Sequence, residues 1–286
     1  MNITGNTRFI AHLGYPTHSF KAPLIYNPYF EAQGIDCVVI PMACRADQME
    51  AVLKGIMPLD NFVGALITMP LKTTVLGQLD VIHPAAAIAG ACNAVKRNAN
   101  GEWEGDMFDG QGFVRGLINK GFEVRGSRVM VIGSGGVGSA IAAALAQAGA
   151  TQMSLFDTRA EASLALAKRL SAHFPQLEIQ AQACDPTGHQ LVVNATPMGM
   201  NPGDPLPIDV ALLTPDMFVG EVVMRAETTA FLSHAIDKGC QVQVGVDMLF
   251  EQIPAYLEFF GLPSTTAARL RELARIEYPK TEVTPA

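Results

Sequence analysis

Residues 128–150 read RVMVIGSGGVGSAIAAALAQAGA. A Val- and Ile-rich run meets three spaced glycines, and a small-residue helical pattern follows. Gly133, Gly135 and Gly138 hold the spacing GxGxxG between a buried strand and a helix. The first glycine permits a tight turn, the second lets backbone approach an anion, and the third brings helix against strand. The helix N-terminus then offers unpaired N–H groups to a phosphate. Glycines alone also serve ordinary turns. The strand–loop–helix context favours a dinucleotide pyrophosphate held by Gly133, Gly135, Gly136, Val137 and Gly138. QMSLFD (152–157) reads as the next strand and ends on Asp157. A carboxylate there accepts hydrogen bonds from a ribose 2′-hydroxyl and repels a 2′-phosphate, so NAD is preferred. Arg159 leaves NADP possible if Asp157 turns away.

Outward from this loop the chain alternates strand and helix patterns. RFIAHL (8–13), CVVIP (37–41) and GALIT (64–68) read as strands, with helical spacing over 22–34 and 46–56 between them. Gly34 is placed to end the first of those helices. CNAVKR and EWEGD flank the turn NANG (98–101) and predict a hairpin at a sheet edge. After a helical stretch at 109–121 a second series begins. Its strands are 128–133, 152–157, 191–196, 217–223 and 241–246, with helices over 137–150, 161–174 and 229–239. Gly149 is placed to stop the helix that the glycine loop opens. This order predicts an α/β fold with two mostly parallel sheets. The last forty residues, including MLFEQIPAYLEFF (248–260), are helical and leave the alternation, which suggests a return to the first unit. The tail PKTEVTPA is expected to fray.

Composition narrows the function. The chain has 286 residues, 49% apolar and 16% charged, with a net charge of −7. That suits a globular chain with more than one core. There is no run of Lys and Arg, so neither nucleic acid nor an anionic membrane is an expected partner. No stretch approaches a membrane span of roughly 20 apolar residues. Five cysteines without CxxC spacing read as buried thiols in a reducing compartment, and a cytoplasmic monomer or homodimer is expected. HExxH, GxSxG and metal-ligand clusters are absent from the sequence, so no metal is expected.

Oxidising an alcohol by hydride loss also requires loss of the hydroxyl proton, so the site needs an acid/base. Lys72 in ITMPLKTTV (67–75) follows the third strand, at the end where ligands bind in open α/β sheets. Asp109 in GDMFDG (105–110) lies near the crossing between units. Each has an ordinary explanation alone: Lys72 as a surface charge, Asp109 as a helix cap. Together they form a candidate proton-handling pair. Among the histidines, His18 stands in a Gly- and Pro-punctuated loop and His12 in a strand, where a structural role is expected. His83, His173, His189 and His234 read as surface positions. NATPMGM (194–200) offers Asn194, Thr196 and Met198 to the nicotinamide side of the cofactor, with Gly199 allowing close approach. A polar turn after a strand is the plainer reading of that segment.

Taken in order, GYPTHSFKAP (14–23), GALITMPLK (64–72), GACNAV (90–95), GDMFDGQG (105–112), GSGGVGSA (133–140), NATPMGM (194–200) and MLFEQ (248–252) resemble the shikimate dehydrogenase family across nearly the whole chain. The resemblance implies an α/β substrate domain over 1–109, a Rossmann domain over 110–244, and C-terminal helices over 245–286 that pack on the first domain. It implies an NAD(P)-dependent enzyme that interconverts a ring hydroxyl and a ketone of shikimate- or quinate-like compounds. Lys72 and Asp109 match the family's catalytic pair, and Asn93, Thr68 and Gln252 match residues that hold the substrate.

The departures are also local. The family's GxPIxHSxSP has two serines that hold the substrate carboxylate; matched without a gap, they become Phe20 and Ala22. His18 and Ser19 resemble its HS shifted by one. The family's NTDG is MFDG here, and a tyrosine after the late strand is Met224. Each charge-assisted hydrogen bond to a carboxylate contributes roughly 1.5–3 kcal/mol. Losing two weakens binding by about 10²–10⁴-fold. Shikimate is then a poor substrate unless Ser19 or Lys21 takes over. The alternatives are a paralogue acting on a different cyclic hydroxy acid or polyol, or a dinucleotide-binding regulator with little catalysis.

Overall fold

The computed structural model describes residues 2–276 apart from Pro202 and Glu227. The expected fraying of 279–286 lies outside the described residues. The first series runs β1 (Arg8–Gly14), α1 (Pro23–Gln33), β2 (Cys37–Ala43), α2 (Met49–Ile56), β3 (Phe62–Ile67), β4 (Val81–Ile82), α3 (Pro84–Ala89), β5 (Ala94–Arg97) and β6 (Trp103–Asp106). The second runs α4 (Asp109–Asn119), β7 (Arg128–Ile132), α5 (Gly136–Gln147), β8 (Gln152–Phe156), α6 (Ala160–His173), β9 (Glu178–Ala181), β10 (Leu191–Asn194), β11 (Phe218–Glu221), α7 (Ala230–Asp237), β12 (Gln241–Gln243), α8 (Gly245–Phe259) and α9 (Ala267–Leu273).

The first sheet has the order β2-β1-β3-β5-β6-β4. β1 pairs in parallel with β2 and β3, and β5 runs antiparallel to both β3 and β6. Period-two alternation in β1 sends Ile10 to a core with Tyr26 and Phe30 of α1, and Phe9, Ala11 and Leu13 to the opposite core. α1 starts with Pro23 in its first turn and stops at Gly34, whose φ is 64°. The second sheet is parallel throughout, in the order β12-β11-β10-β7-β8-β9. Val129 and Val131 enter one core while Met130 and Ile132 enter another, as expected for a strand covered on both faces.

α8 and α9 return to the first sheet. Phe250, Ile253, Tyr256, Leu257 and Leu270 share a core with Ile10, Tyr26 and Phe30. The Tyr29 hydroxyl donates to the Pro263 carbonyl at 2.8 Å, and the Arg275 N–H to the Leu24 carbonyl at 2.8 Å. Three expectations are corrected. The 94–106 hairpin is not the sheet edge, because β4 pairs with β6 outside it. A two-residue strand is too short to show any hydrophobic period, and neither β4 nor the half-polar β9 stood out. Cys184 is exposed, while the other four cysteines are buried. His83 and His189 are engaged as well as partly exposed: His83 Nε2 lies 2.9 Å from Glu104 and His189 Nε2 lies 2.9 Å from the Ser154 hydroxyl. No helix among the described residues is long and apolar enough to cross a membrane.

Candidate active site

β3 delivers the chain to a turn that fixes Lys72. The Thr68 N–H donates to the Leu13 carbonyl and the Leu71 N–H to the Thr68 carbonyl, each at 2.9 Å. Leu71 and Val75 are fully buried and anchor the turn on either side of Lys72. The Cys92 N–H donates to the Lys72 carbonyl at 2.7 Å. The Lys72 ammonium donates directly to Asp109 Oδ2. The two side chains are 12% and 4% exposed, so the ion pair is drawn well out of water. Asp109 opens α4, but no side chain caps that helix and its carboxylate turns to Lys72 instead. α4 is held by close approaches. A Cβ on Gly110 would collide with the Ala140 carbonyl of α5, and one on Gly112 would stand 2.7 Å from Gln252 of α8.

The other expected substrate residues differ in burial. Asn93 is fully buried; its Oδ1 accepts from the Phe108 N–H at 3.0 Å, which leaves Nδ2 without a partner among the described residues. Gln252 is buried with Oε1 likewise unpartnered. Thr68 is half-buried and touches the space above Gly14 that Phe20 also borders. Phe20 is half-buried, Ala22 is buried in the α1 core, and Ser19 is exposed on a short helical turn.

His12 was assigned a structural role, and the fold brings it into this cluster. Its ring stacks on Phe20 with centroids 4.0 Å apart. Burial, with the Lys72 charge in second place, lowers its pKa to about 3, so the imidazole is neutral. Tyr256 is another member that sequence did not single out. It packs edge-on against Phe108 at 4.9 Å. Burial, followed by the nearby Asp109 carboxylate, pushes its hydroxyl pKa well up. The strand period could have put His12 on the face of Ile10, but only packing brings α8 across it.

The glycine loop lies at the carboxyl ends of β7 and β10, where the strand order of the second sheet reverses. Gly133 has φ +98°, and a Cβ there would stand 2.8 Å from the Ala195 carbonyl. Gly138 packs on the Gly133 carbonyl too closely for a Cβ. Gly135 is exposed with open space at its Cβ position, and no side chain caps α5. The Ser134 hydroxyl is buried and has no hydrogen-bond partner among the described residues. An open cradle at an uncapped helix N-terminus fits a pyrophosphate. Gly136 and Val137 in the first turn are half-buried. Asp157 is buried at the end of β8; its Oδ2 accepts from the Ser134 N–H at 2.7 Å and its Oδ1 from the Arg159 N–H at 2.9 Å. The exposed Arg159 guanidinium also pairs with Asp157 at 3.5 Å.

The 194–200 segment holds itself together. Asn194 Oδ1 accepts from the Thr196 N–H and hydroxyl, Asn194 Nδ2 donates to the Met198 carbonyl at 3.1 Å, and the Met198 N–H donates to the Thr196 hydroxyl at 3.1 Å. These side chains shape the loop, and Gly199 has φ +96°. Beneath them Glu221 is buried at the end of β11, where burial raises its pKa to about 7. Among the described residues, no group of acidic, His and Cys side chains is arranged to hold a metal.

Residues 13–95 match the family profile described as shikimate dehydrogenase substrate binding domain. A shikimate dehydrogenase (NADP(+)) of Rubrobacter xylanophilus is 31% identical over 279 residues, covering 95% of this chain and 97% of that protein. The crystal structure of Listeria monocytogenes shikimate 5-dehydrogenase with shikimate and NAD superposes with a TM-score of 0.85 at 25% identity, covering 96% of this chain and 98% of the other. A ligand-free 5-ketofructose reductase of Gluconobacter sp. strain CHM43 superposes at 0.83 with 26% identity, covering 93% and 97%. With the glycine cradle, the returning helices and the paired motifs in the same order, this chain belongs to the shikimate dehydrogenase family.

Proposed function

We propose that the protein is an NAD(P)-dependent oxidoreductase that interconverts a ring hydroxyl and the matching ketone of a small shikimate- or quinate-like compound. The observation that carries this is the buried Lys72–Asp109 pair standing beside the glycine cradle. When bound, the dinucleotide takes or returns a hydride at its nicotinamide ring. The substrate C–H supplies that hydride as the C=O bond forms. The hydroxyl proton passes to the Lys72–Asp109 pair, with Asp109 orienting the lysine. Asn93, Thr68 and Gln252 hold the neighbouring ring hydroxyls. Residues 1–109 carry the substrate side and 110–244 the dinucleotide side, with the C-terminal helices bracing the first.

NAD is the preferred dinucleotide in this reading. Asp157 stands at the end of β8 with its carboxylate against the glycine loop, and its spare lone pairs suit a ribose 2′-hydroxyl. The Listeria structure holds NAD, whereas the Rubrobacter relative is named for NADP(+). The test is the initial rate of nicotinamide reduction with shikimate and with quinate, each at saturating NAD and at saturating NADP. NAD-dependent turnover supports the whole reading. Faster turnover with NADP overturns the cofactor choice alone. No turnover in either direction, over a broad panel of hydroxylated rings, overturns the reaction.

A further inference from the structure

We propose that the substrate pocket selects a ring polyol whose position facing Phe20 and Ala22 bears an uncharged group, and that it disfavours a carboxylate there. This rests on the oxidoreductase reading above. The family's two carboxylate-holding serines are replaced by an aromatic ring and a methyl group, neither of which donates a hydrogen bond. Phe20 cannot simply turn aside, because it lies stacked on His12 and beside Thr68. Ala22 is buried in the α1 core.

The charges point the same way. His12 is the ionisable group directly behind Phe20, and burial keeps it neutral, so it offers no cation to a carboxylate. The Lys72 ammonium is committed to Asp109. An anion drawn out of water needs a paired cation, and neither His12 nor Lys72 offers a free one.

The free polar atoms favour hydroxyls. His12 Nδ1, the Tyr26 hydroxyl, Asn93 Nδ2 and Gln252 Oε1 are buried and have no hydrogen-bond partner among the described residues. Asn93 Nδ2 is a donor, because its Oδ1 already accepts from Phe108. Gln252 Oε1 is an acceptor. A hydroxyl both donates and accepts, so a polyol can answer this mixed set, whereas a carboxylate only accepts. The chemistry is unchanged: hydride leaves a carbinol carbon for the nicotinamide, and the hydroxyl proton goes to the Lys72–Asp109 pair.

The test compares shikimate with its methyl ester and with the alcohol formed by reducing its carboxyl group, at saturating dinucleotide, in the full-length enzyme. The ester or alcohol is expected to exceed the acid in kcat/KM by at least about tenfold. The double variant Phe20→Ser with Ala22→Ser should raise the ratio of kcat/KM for the acid over that for the ester by at least about tenfold. Circular dichroism and dinucleotide binding serve as its folding controls. His12→Phe keeps the stacked ring and removes the nitrogens. It should raise KM for the alcohol several-fold while kcat holds, a split that a purely structural role would not produce. An acid turned over as well as its ester overturns this proposal and leaves the oxidoreductase reading standing. No turnover of the three or of the broad panel of hydroxylated rings, with dinucleotide binding intact, overturns both.

Discussion

Gly136 stands against Lys72: a Cβ built on this glycine would lie 3.6 Å from the Lys72 Cβ and 3.3 Å from the Ala91 Cβ. The first turn of α5 and the Lys72–Asp109 pair therefore share a wall. The glycine loop and Lys72 come from different sheets, and the missing side chain lets them meet. Lys72→Ala is expected to lower kcat by about 10²–10⁴-fold, the usual contribution of a positioned acid/base. Dinucleotide affinity should change little. Single-turnover rates with fluorescence titration of NADH would check both parts, and near-normal turnover would remove Lys72 from the mechanism.

The contact between Gly138 and the Gly133 carbonyl leaves no room for a methyl group. Both partners are backbone, so relief requires the helix to move off the strand. Gly138→Ala should cost about 1–3 kcal/mol of stability by overpacking. It should also weaken dinucleotide binding more than substrate binding. Urea denaturation and NADH titration on the same sample separate the two effects.

Asp157 holds the Ser134 N–H of the glycine loop at 2.7 Å. Asp157→Asn keeps the shape and removes the charge that repels a 2′-phosphate. The ratio of kcat/KM for NADP over NAD should rise by at least about tenfold. An unchanged ratio would show that Asp157 serves the loop and not cofactor choice.

Glu221 makes stability depend on pH. Its folded pKa of about 7 lies above the ordinary 4.5 because burial disfavours the carboxylate. Below pH 4.5 the folded and unfolded chains are both protonated, and the group contributes no difference. Between 4.5 and 7 the unfolded chain releases its proton while the folded chain keeps it, so stability falls as pH rises. The loss reaches up to about 3 kcal/mol and persists above 7. Glu221→Gln should flatten this decline, as read from urea midpoints at pH 5 and pH 7.5. His12 acts in the opposite sense: its depressed pKa means stability is lost as pH falls from 6.5 toward 3.

Arg169 of α6 ties the two layers together. Its Nε donates to the Ile88 carbonyl at 3.0 Å and its Nη2 to the Ala89 carbonyl at 3.3 Å, at the end of α3. A cation there satisfies terminal carbonyls and complements the helix dipole. Arg169→Ala should cost about 1.5–3 kcal/mol. The thermal midpoint should fall without a change in which dinucleotide is used.

The sequence determined what depends on neighbours along the chain. The apolar strand runs at 8–13 and 128–133, the helical spacing in 137–150, and the stop at Gly34 are local properties of backbone and side chain, and the structure has β1, β7, α5 and the end of α1 there. The glycine spacing was legible because only a residue without Cβ meets the φ of +98° at Gly133 and the close approach at Gly138. Lys72 and Asp109 could be named as candidates, but each also had an ordinary explanation, and only their direct bond joins them. Tertiary structure alone decided that His12 of β1 stacks on Phe20 of the following loop and that Tyr256 of α8 packs on Phe108. Their positions span most of the chain, and no local period relates them. Their meeting depends on α8 covering the first sheet through long-range burial of Phe250, Ile253 and Leu257. Burial then decided chemistry that residue types leave open, holding His12 neutral and leaving Asn93 Nδ2 and Gln252 Oε1 without a partner among the described residues.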